Sequence, residues 1–318
     1  RIIPSCLLQC FDRFDAFTGN ETPSTGACSQ EQRALLLPCY LALQREFPRS
    51  LVVPQILLYV LEGADFEARV ASELRRAVRK GVHSFFNTLK PLCRAQPDKF
   101  AVVKRVAAEA MKEVEEAKES DPVAFVWASL FLAQMVDFEH RTQEALAYLE
   151  KAIAHTPTCY DLYVYKAKVL RHAGALLSSA EAMRRASALD LADRYMNTGL
   201  TKSLLRCGAI EEADRTVSYW VRRDVPNRIE LSLLQACWFE VPCADAYFRR
   251  GDVPHAYKLY STVLSHFTTF VQDQFDFHGY VLRKSVLTTY YDFLHSMAQV
   301  YRDRYYRRAA IGALKCLI

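Results

Sequence analysis

Residues 142–220 read TQEALAYLEKAIAHTPTCYDLYVYKAKVLRHAGALLSSAEAMRRASALDLADRYMNTGLTKSLLRCGAIEEADRTVSYW. Three small residues in this stretch, Ala145, Ser179 and Ala213, stand 34 apart. Leu149, Met183 and Val217 follow four positions later, and Ala152, Ala186 and Trp220 follow seven later. Offsets of four and seven share one face of an α-helix. Gly174 and Gly208 are also 34 apart, each just before the helix that carries the small residue. The unit is therefore a helix–turn–helix pair that cannot bury its apolar face alone and must stack on a neighbour.

A period of 34 is that of the tetratricopeptide repeat, and the expected fold is an all-α, tetratricopeptide-like solenoid of helical hairpins. The small residues mark where the two helices of a pair cross, and a large side chain there would push them apart. Working outward, the spacing predicts helices over Val126–Val136, Thr142–His155, Asp161–His172, Leu177–Leu189, Asp193–Arg206 and Ile210–Arg223. After an extra half-repeat, Trp238–Arg249 and Val253–His266 form a further pair, in which Ala244, Gly251, Ala256 and Tyr260 keep the internal spacing. The chain divides into an N-terminal segment (1–30) with a polar Thr18–Ser29 loop, degenerate hairpins (31–120), regular repeats (121–225) and further helical repeats (226–318). Asp98, after Gln96-Pro97, is the expected N-cap of a helix over 98–120. The chain opens without Met and stops inside a helical pattern, so a segment of a longer protein is expected.

Composition narrows the function. Hydrophobic residues make up 51% of 318, with only 10 Gly and 12 Pro, which suits a helical protein with a real core. The longest uncharged run, Pro122–Val136, is 15 residues, short of the roughly 18–20 that cross a bilayer. Ten cysteines are scattered without a C-x-x-C pair or zinc spacing, so free thiols, no metal and a cytoplasmic setting are expected. No two glycines are closer than seven residues, which removes G-x-G-x-x-G, Walker and G-x-S-x-G motifs together with the acetyl-coenzyme A signature R-x-x-G-x-G/A. No H-E-x-x-H occurs. No catalytic residue is therefore assigned. Asp273 and Asp276 are read as tying helix ends together, and His278 as a hydrogen-bonded structural histidine.

Two basic regions stand out on a net charge of +5, besides a cluster of Arg302, Arg304, Arg307 and Arg308 near the end. One runs from Arg69 to Lys112 and reads as solvated, paired helix faces. The other is a seam on the repeats. Lys168 and Lys202 are 34 apart, so stacking sets them roughly 10 Å from each other, with Arg171 one turn beyond Lys168 and Arg194 nearby in sequence. Like charges on adjacent helices repel unless an anion sits among them. A polyanionic ligand or acidic partner segment would relieve that cost; side chains splayed into water would avoid it.

At Asp273-Gln274-Phe275-Asp276-Phe277-His278, followed by Tyr280, Arg283 and Lys284, the chain closely resembles the auxiliary subunits of the NatA N-terminal acetyltransferase complex. Lys80-Gly81 with Phe86-Asn87-Thr88-Leu89, Lys166-Ala167-Lys168 with His172-Ala173-Gly174, and Ala192-Asp193-Arg194 agree in the same order. The resemblance implies a non-catalytic scaffold that wraps a catalytic acetyltransferase subunit and supports co-translational N-terminal acetylation at the ribosome. It also implies a second acetyltransferase subunit and a small chaperone-like regulator as partners, with acetyl-coenzyme A held only by the catalytic subunit. It further implies inositol hexakisphosphate at the subunit interface, on Lys168, Arg171 and Lys202. Gly199 stands where the family commonly has Lys. The alternative is a generic tetratricopeptide adaptor, for chaperones or RNA processing; Leu130 and Gln134 occupy positions where a chaperone-tail clamp needs Lys and Asn.

Overall fold

The computed structural model describes residues 30–50, 52–117, 121–222, 224–284 and 287–318. The Thr18–Ser29 loop and the rest of the N-terminal segment lie outside the described residues. The helices are α1 (Gln30–Glu46), α2 (Val52–Val60), α3 (Gly63–Arg79), α4 (Phe85–Ala95), α5 (Pro97–Glu116), α6 (Pro122–Phe138), α7 (Thr142–His155) and α8 (Tyr160–His172). They continue as α9 (Leu176–Leu189), α10 (Arg194–Cys207), α11 (Ile210–Val217), α12 (Asn227–Leu233), α13 (Cys237–Arg249), α14 (Val253–Lys284), α15 (Leu287–Ala298) and α16 (Arg304–Leu317). No strand occurs among the described residues, so the fold is all-α. The chain forms two compact units, divided between Tyr165 and Lys166 inside α8.

The first unit is built round α6. Pro122 sits at its first position, and the Asp121 side chain accepts a hydrogen bond from the Ala124 amide at 3.1 Å. The helix is buried on nearly every face from Ala124 to Asp137, as expected of a helix apolar all round. The uncharged run is thus the centre of a core, and no described helix is long and apolar enough to cross a membrane. Phe131 meets Phe86 edge-on at 5.4 Å, and Phe138 meets Phe100 at 5.5 Å, closing α6 onto α4 and α5. Several polar groups inside this core are answered, although Gln134 Oε1 is buried without a hydrogen-bond partner among the described residues. Gln134 donates to the His83 carbonyl at 3.0 Å, and Tyr165 donates to Asp137 at 2.9 Å. The buried Lys99 ammonium donates to the carbonyls of Leu58 and Tyr59 at the end of α2, at 3.0 and 3.2 Å.

In the second unit α9 packs on α10, α10 on α11, and α13 on α14 and α16. The core of the last group is Val241, Ala244, Ala256, Tyr260, Val263, Ala309 and Ala313. Gly312 lies under the Tyr260 ring, where a Cβ would come within 2.3 Å of it. The Tyr260 hydroxyl donates to Asp245 at 2.6 Å. Glu240 of α13, almost wholly buried, takes His266 of α14 on both carboxylate oxygens at 2.9 and 3.0 Å.

Ala145, Ser179, Ala213 and Ala256 are all buried. Ser179 also donates its hydroxyl to the Ala167 carbonyl at 2.7 Å, which ties α9 to α8. Gly174, Gly208 and Gly251 hold the turns with φ of 78°, 81° and 85°, a backbone region that side-chain-bearing residues enter at a cost. His140, 34 positions before Gly174, holds the same turn at φ 61° without being glycine.

Three local expectations are corrected. Gln96, not Asp98, caps α5, because Pro97 takes the first helical position and leaves Asp98 inside the first turn. The helix expected over Val253–His266 runs on to Lys284, for 32 residues, since no Gly or Pro interrupts it before Gly279. The Asp273 and Asp276 positions are therefore interior to α14 and not at a helix end.

Candidate functional site: a cationic cluster on the second unit

The site starts with the register of the repeats. Lys168 and Arg171 occupy α8, and Lys202 occupies the corresponding place on α10. Arg206 follows one turn after Lys202 on the same face. The Lys202 ammonium stands over the Trp238 ring of α13, 5.1 Å from its centroid. Partial burial pushes Lys202 below the ordinary lysine range, and the positive charges of Arg206 and Arg304 push it further. Burial likewise lowers Arg206, with Arg171 and Arg308 adding to the effect and Cys207 opposing it. Cations from α8, α10 and α16 therefore feel one another directly.

Among the described residues, no Asp or Glu lies within 4 Å of the charged groups of Arg171, Lys202, Arg206 or Arg304. Arg308 is the exception, paired with Asp245. Arg194 is not part of the group: it opens α10, is exposed, and lies about 12 Å along the helix axis from Lys202. Arg206 is visible in the sequence as a neighbour of the seam and Arg304 as part of a terminal arginine cluster, but nothing in the sequence joins that cluster to the seam; Trp238 is missed there, since it carries no periodic signal.

The other basic region is different. An open recess of roughly 500 Å3 beside α3 is lined by Ala68, Ser72, Arg75, Arg76, Arg79 and Lys80. Arg75 forms a two-pronged pair with Glu113 at 2.6 and 3.0 Å, and Arg76 pairs with the buried Glu73 at 2.5 Å. Lys104 pairs with Glu139 at 2.8 Å and Arg105 with Glu67 at 2.5 Å.

The DQFDFH block lies within α14. Gln274 donates to the Val271 carbonyl at 2.9 Å. His278 Nδ1 lies 3.2 Å from the Tyr290 hydroxyl, and its ring meets Phe293 edge-on at 6.0 Å, so it joins α14 to α15. The side chains of Phe275, Asp276 and Phe277 lie outside the described residues.

Nothing in the described residues assembles a nucleophile or a metal site. No group of three or more His, Cys, Asp or Glu could hold a metal ion among them. Burial pushes the thiols of Cys93 and Cys243 up to about 12 and that of Cys237 up to about 11. These cysteines stay protonated, the reverse of what a thiolate nucleophile needs.

The sequence model of the family described as "N-terminal acetyltransferase A, auxiliary subunit" matches residues 11–318. The chain is 33% identical over 303 residues to the Arabidopsis thaliana "N-terminal acetyltransferase A complex auxiliary subunit NAA15", covering 92% of this chain and 33% of that protein. It is 31% identical over 288 residues to the Homo sapiens "N-alpha-acetyltransferase 16, NatA auxiliary subunit", covering 88% and 33%. A chain in a solved structure described as Naa15/Naa10 bound to HypK-THB superposes with a TM-score of 0.81 at 32% identity, covering 92% of this chain and 44% of that one. This chain thus spans about a third of the length of its curated relatives. With a family match over nearly its whole length and relatives above 30% identity, it belongs to the NatA auxiliary subunits.

Proposed function

We propose that this chain is part of a non-catalytic scaffold that holds an acetyltransferase catalytic subunit and supports N-terminal acetylation of nascent chains. In this reading acetyl-coenzyme A is bound by the catalytic partner alone. A second acetyltransferase subunit, a small chaperone-like regulator and the ribosome are its further partners, and the cytoplasm is its setting. The cationic cluster takes inositol hexakisphosphate where the catalytic subunit docks. The observation that carries the ligand is charge without counter-charge. Lys202 and Arg206 are partly withdrawn from water beside other cations, with no carboxylate within 4 Å among the described residues. A bound polyphosphate converts that repulsion into charge-assisted hydrogen bonds.

The scaffold reading is tested by tagging the full-length protein in its own cells. The eluate is assayed for acetyl transfer to a peptide beginning with Ser or Ala. Co-purified activity supports the reading; an eluate with neither an acetyltransferase nor activity rejects it.

A further inference from the structure

A lysine ammonium carries three N–H donors, and a protein that withdraws it from water normally offers oxygens in return. Several cations that stand over aromatic rings in this chain follow that rule. Lys99 lies 4.9 Å from the Phe66 centroid and donates to the Leu58 and Tyr59 carbonyls. Lys104, over Phe100, pairs with Glu139. Lys151, over Phe125, pairs with Glu115, and Arg228, over Tyr247, pairs with Asp214. Lys202 departs from it. Its ammonium stands 5.1 Å from the centroid of the Trp238 ring, and among the described residues it has neither a hydrogen-bond acceptor nor a carboxylate partner. The residue is nevertheless partly buried.

The ring is itself fixed. Trp238 is the second residue of α13, which packs on α10. Its indole meets the ring of the fully buried Phe239 edge-on at 6.0 Å. An indole face attracts a cation through its quadrupole and is the strongest of the aromatic platforms. It carries no formal charge and accepts no strong hydrogen bond, so it places the ammonium without neutralising it. The lysine stem is long and flexible, and holding its end in one place beforehand removes an ordering cost that an anion would otherwise meet on binding.

We propose that Trp238 is a positioning residue of the polyanion site: its ring holds the Lys202 ammonium in place, with the charge and the N–H donors left for a phosphate group. This rests on the polyanion reading above and adds to it a residue that touches the lysine and not the ligand. On this contact α10 supplies the charge and α13 supplies its place.

The test is titration of inositol hexakisphosphate, by calorimetry, into the full-length protein co-purified with its catalytic partner. Trp238→Leu keeps apolar bulk and removes the π face, and should weaken binding about fourfold. Trp238→Phe restores a weaker face and should recover part of the loss. In a Lys202→Gln background, Trp238→Leu should change affinity less than about twofold, because the ring then has no ammonium to hold. Equal affinity for wild type and Trp238→Leu would overturn the positioning role while leaving the polyanion site intact. A loss that persisted undiminished in the Lys202→Gln background would also overturn it, since Trp238 would then act through packing. Fluorinated tryptophans placed at position 238 keep the shape of the ring and withdraw electron density from its face, so affinity should fall with each added fluorine. An affinity indifferent to fluorine would overturn the role even where Trp238→Leu fails to fold. No binding by wild type would reject the polyanion reading, and the positioning role with it.

Discussion

Two basic regions of this chain carry similar residue types and differ in what answers their charge. On the first unit several cations beside α3 and α5 are matched, Arg75 by Glu113, Arg76 by Glu73, Arg105 by Glu67, and Lys104 by Glu139, while Arg79 and Lys80 have no carboxylate within 4 Å among the described residues. Even the buried Lys99 finds two carbonyls. On the second unit the charges of Arg171, Arg304 and Arg308 act on Lys202 and Arg206, and among the described residues no carboxylate lies within 4 Å of any of these five except Arg308. A matched basic surface contributes modestly to folding and has little left to offer a ligand. An unmatched one costs folding free energy and is repaid when an anion arrives. Density of Lys and Arg in the sequence does not separate these cases; the position of acids on neighbouring helices does.

The largest expected effect probes the matched side. Arg76→Gln leaves the Glu73 carboxylate, only 7% exposed, with Arg69 at 3.7 Å as its remaining partner. Losing one arm of a buried ion pair should lower stability by about 2 kcal/mol. Chemical denaturation measures it, and polyanion affinity should not move. If affinity fell as well, the first unit would share in binding and the contrast would fail.

Next comes the mirror-image change on the unmatched side. Lys202→Gln should cost about tenfold in inositol hexakisphosphate affinity, about 1.4 kcal/mol. Its thermal midpoint should hold or rise, because a repulsive charge leaves. The sign of the pH dependence is also set. The folded state lowers the Lys202 pKa, so in the alkaline range the unfolded chain binds more protons. Stability contributed at this site should therefore rise as pH climbs through the folded pKa towards the unfolded value near 10.4. A bound polyanion should raise the Lys202 pKa again and flatten that rise; an alkaline stability slope unchanged by inositol hexakisphosphate would sink the assignment.

A third change leaves both charge sets untouched. His140 sits at φ 61° in the turn that Gly174 and Gly208 hold elsewhere. His140→Gly should stabilise the protein by about 1 kcal/mol by removing left-handed strain. Destabilisation would show that the imidazole contributes to the ion-paired turn of Glu139 and Arg141.

These cases also show what the sequence made legible. The all-α class and the helix crossings at Ala145, Ser179, Ala213 and Ala256 follow from period and residue size, both local properties. The turn at His140 was hidden because glycine was the signal sought, although subtracting 34 from 174 points to it. The length of α14 was hidden because the acidic and aromatic block at 273–278 interrupts the apolar stripe without interrupting the helix. The charge contrast was least legible. Arg75 and Glu113 are 38 residues apart, and Lys202 and Arg304 more than a hundred, so only packing brings each pair together.

The smallest effect tests whether the matched surface is as unimportant as its exposure implies. Arg75 and Glu113 form the best-aligned ion pair on that surface, yet their side chains are 43% and 52% exposed. Screening should hold the contribution to about 0.5 kcal/mol. The Arg75 hydrogen bond is the chief influence holding the Glu113 carboxyl below the ordinary glutamate range, with the Arg75 and Arg79 charges helping and slight burial opposing. A carboxylate lowered in the folded state contributes stability above its unfolded pKa, near 4.3, and loses it as pH falls through the folded value. Arg75→Gln should therefore lower stability slightly at pH 7, and the difference should vanish in acid below the folded pKa. Raising salt at pH 7 should shrink it in the same way. A difference that survived both acid and salt would mean that Arg75 acts through its aliphatic stem packed along α3 and α5, and the matched region would then owe its stability to packing more than to charge.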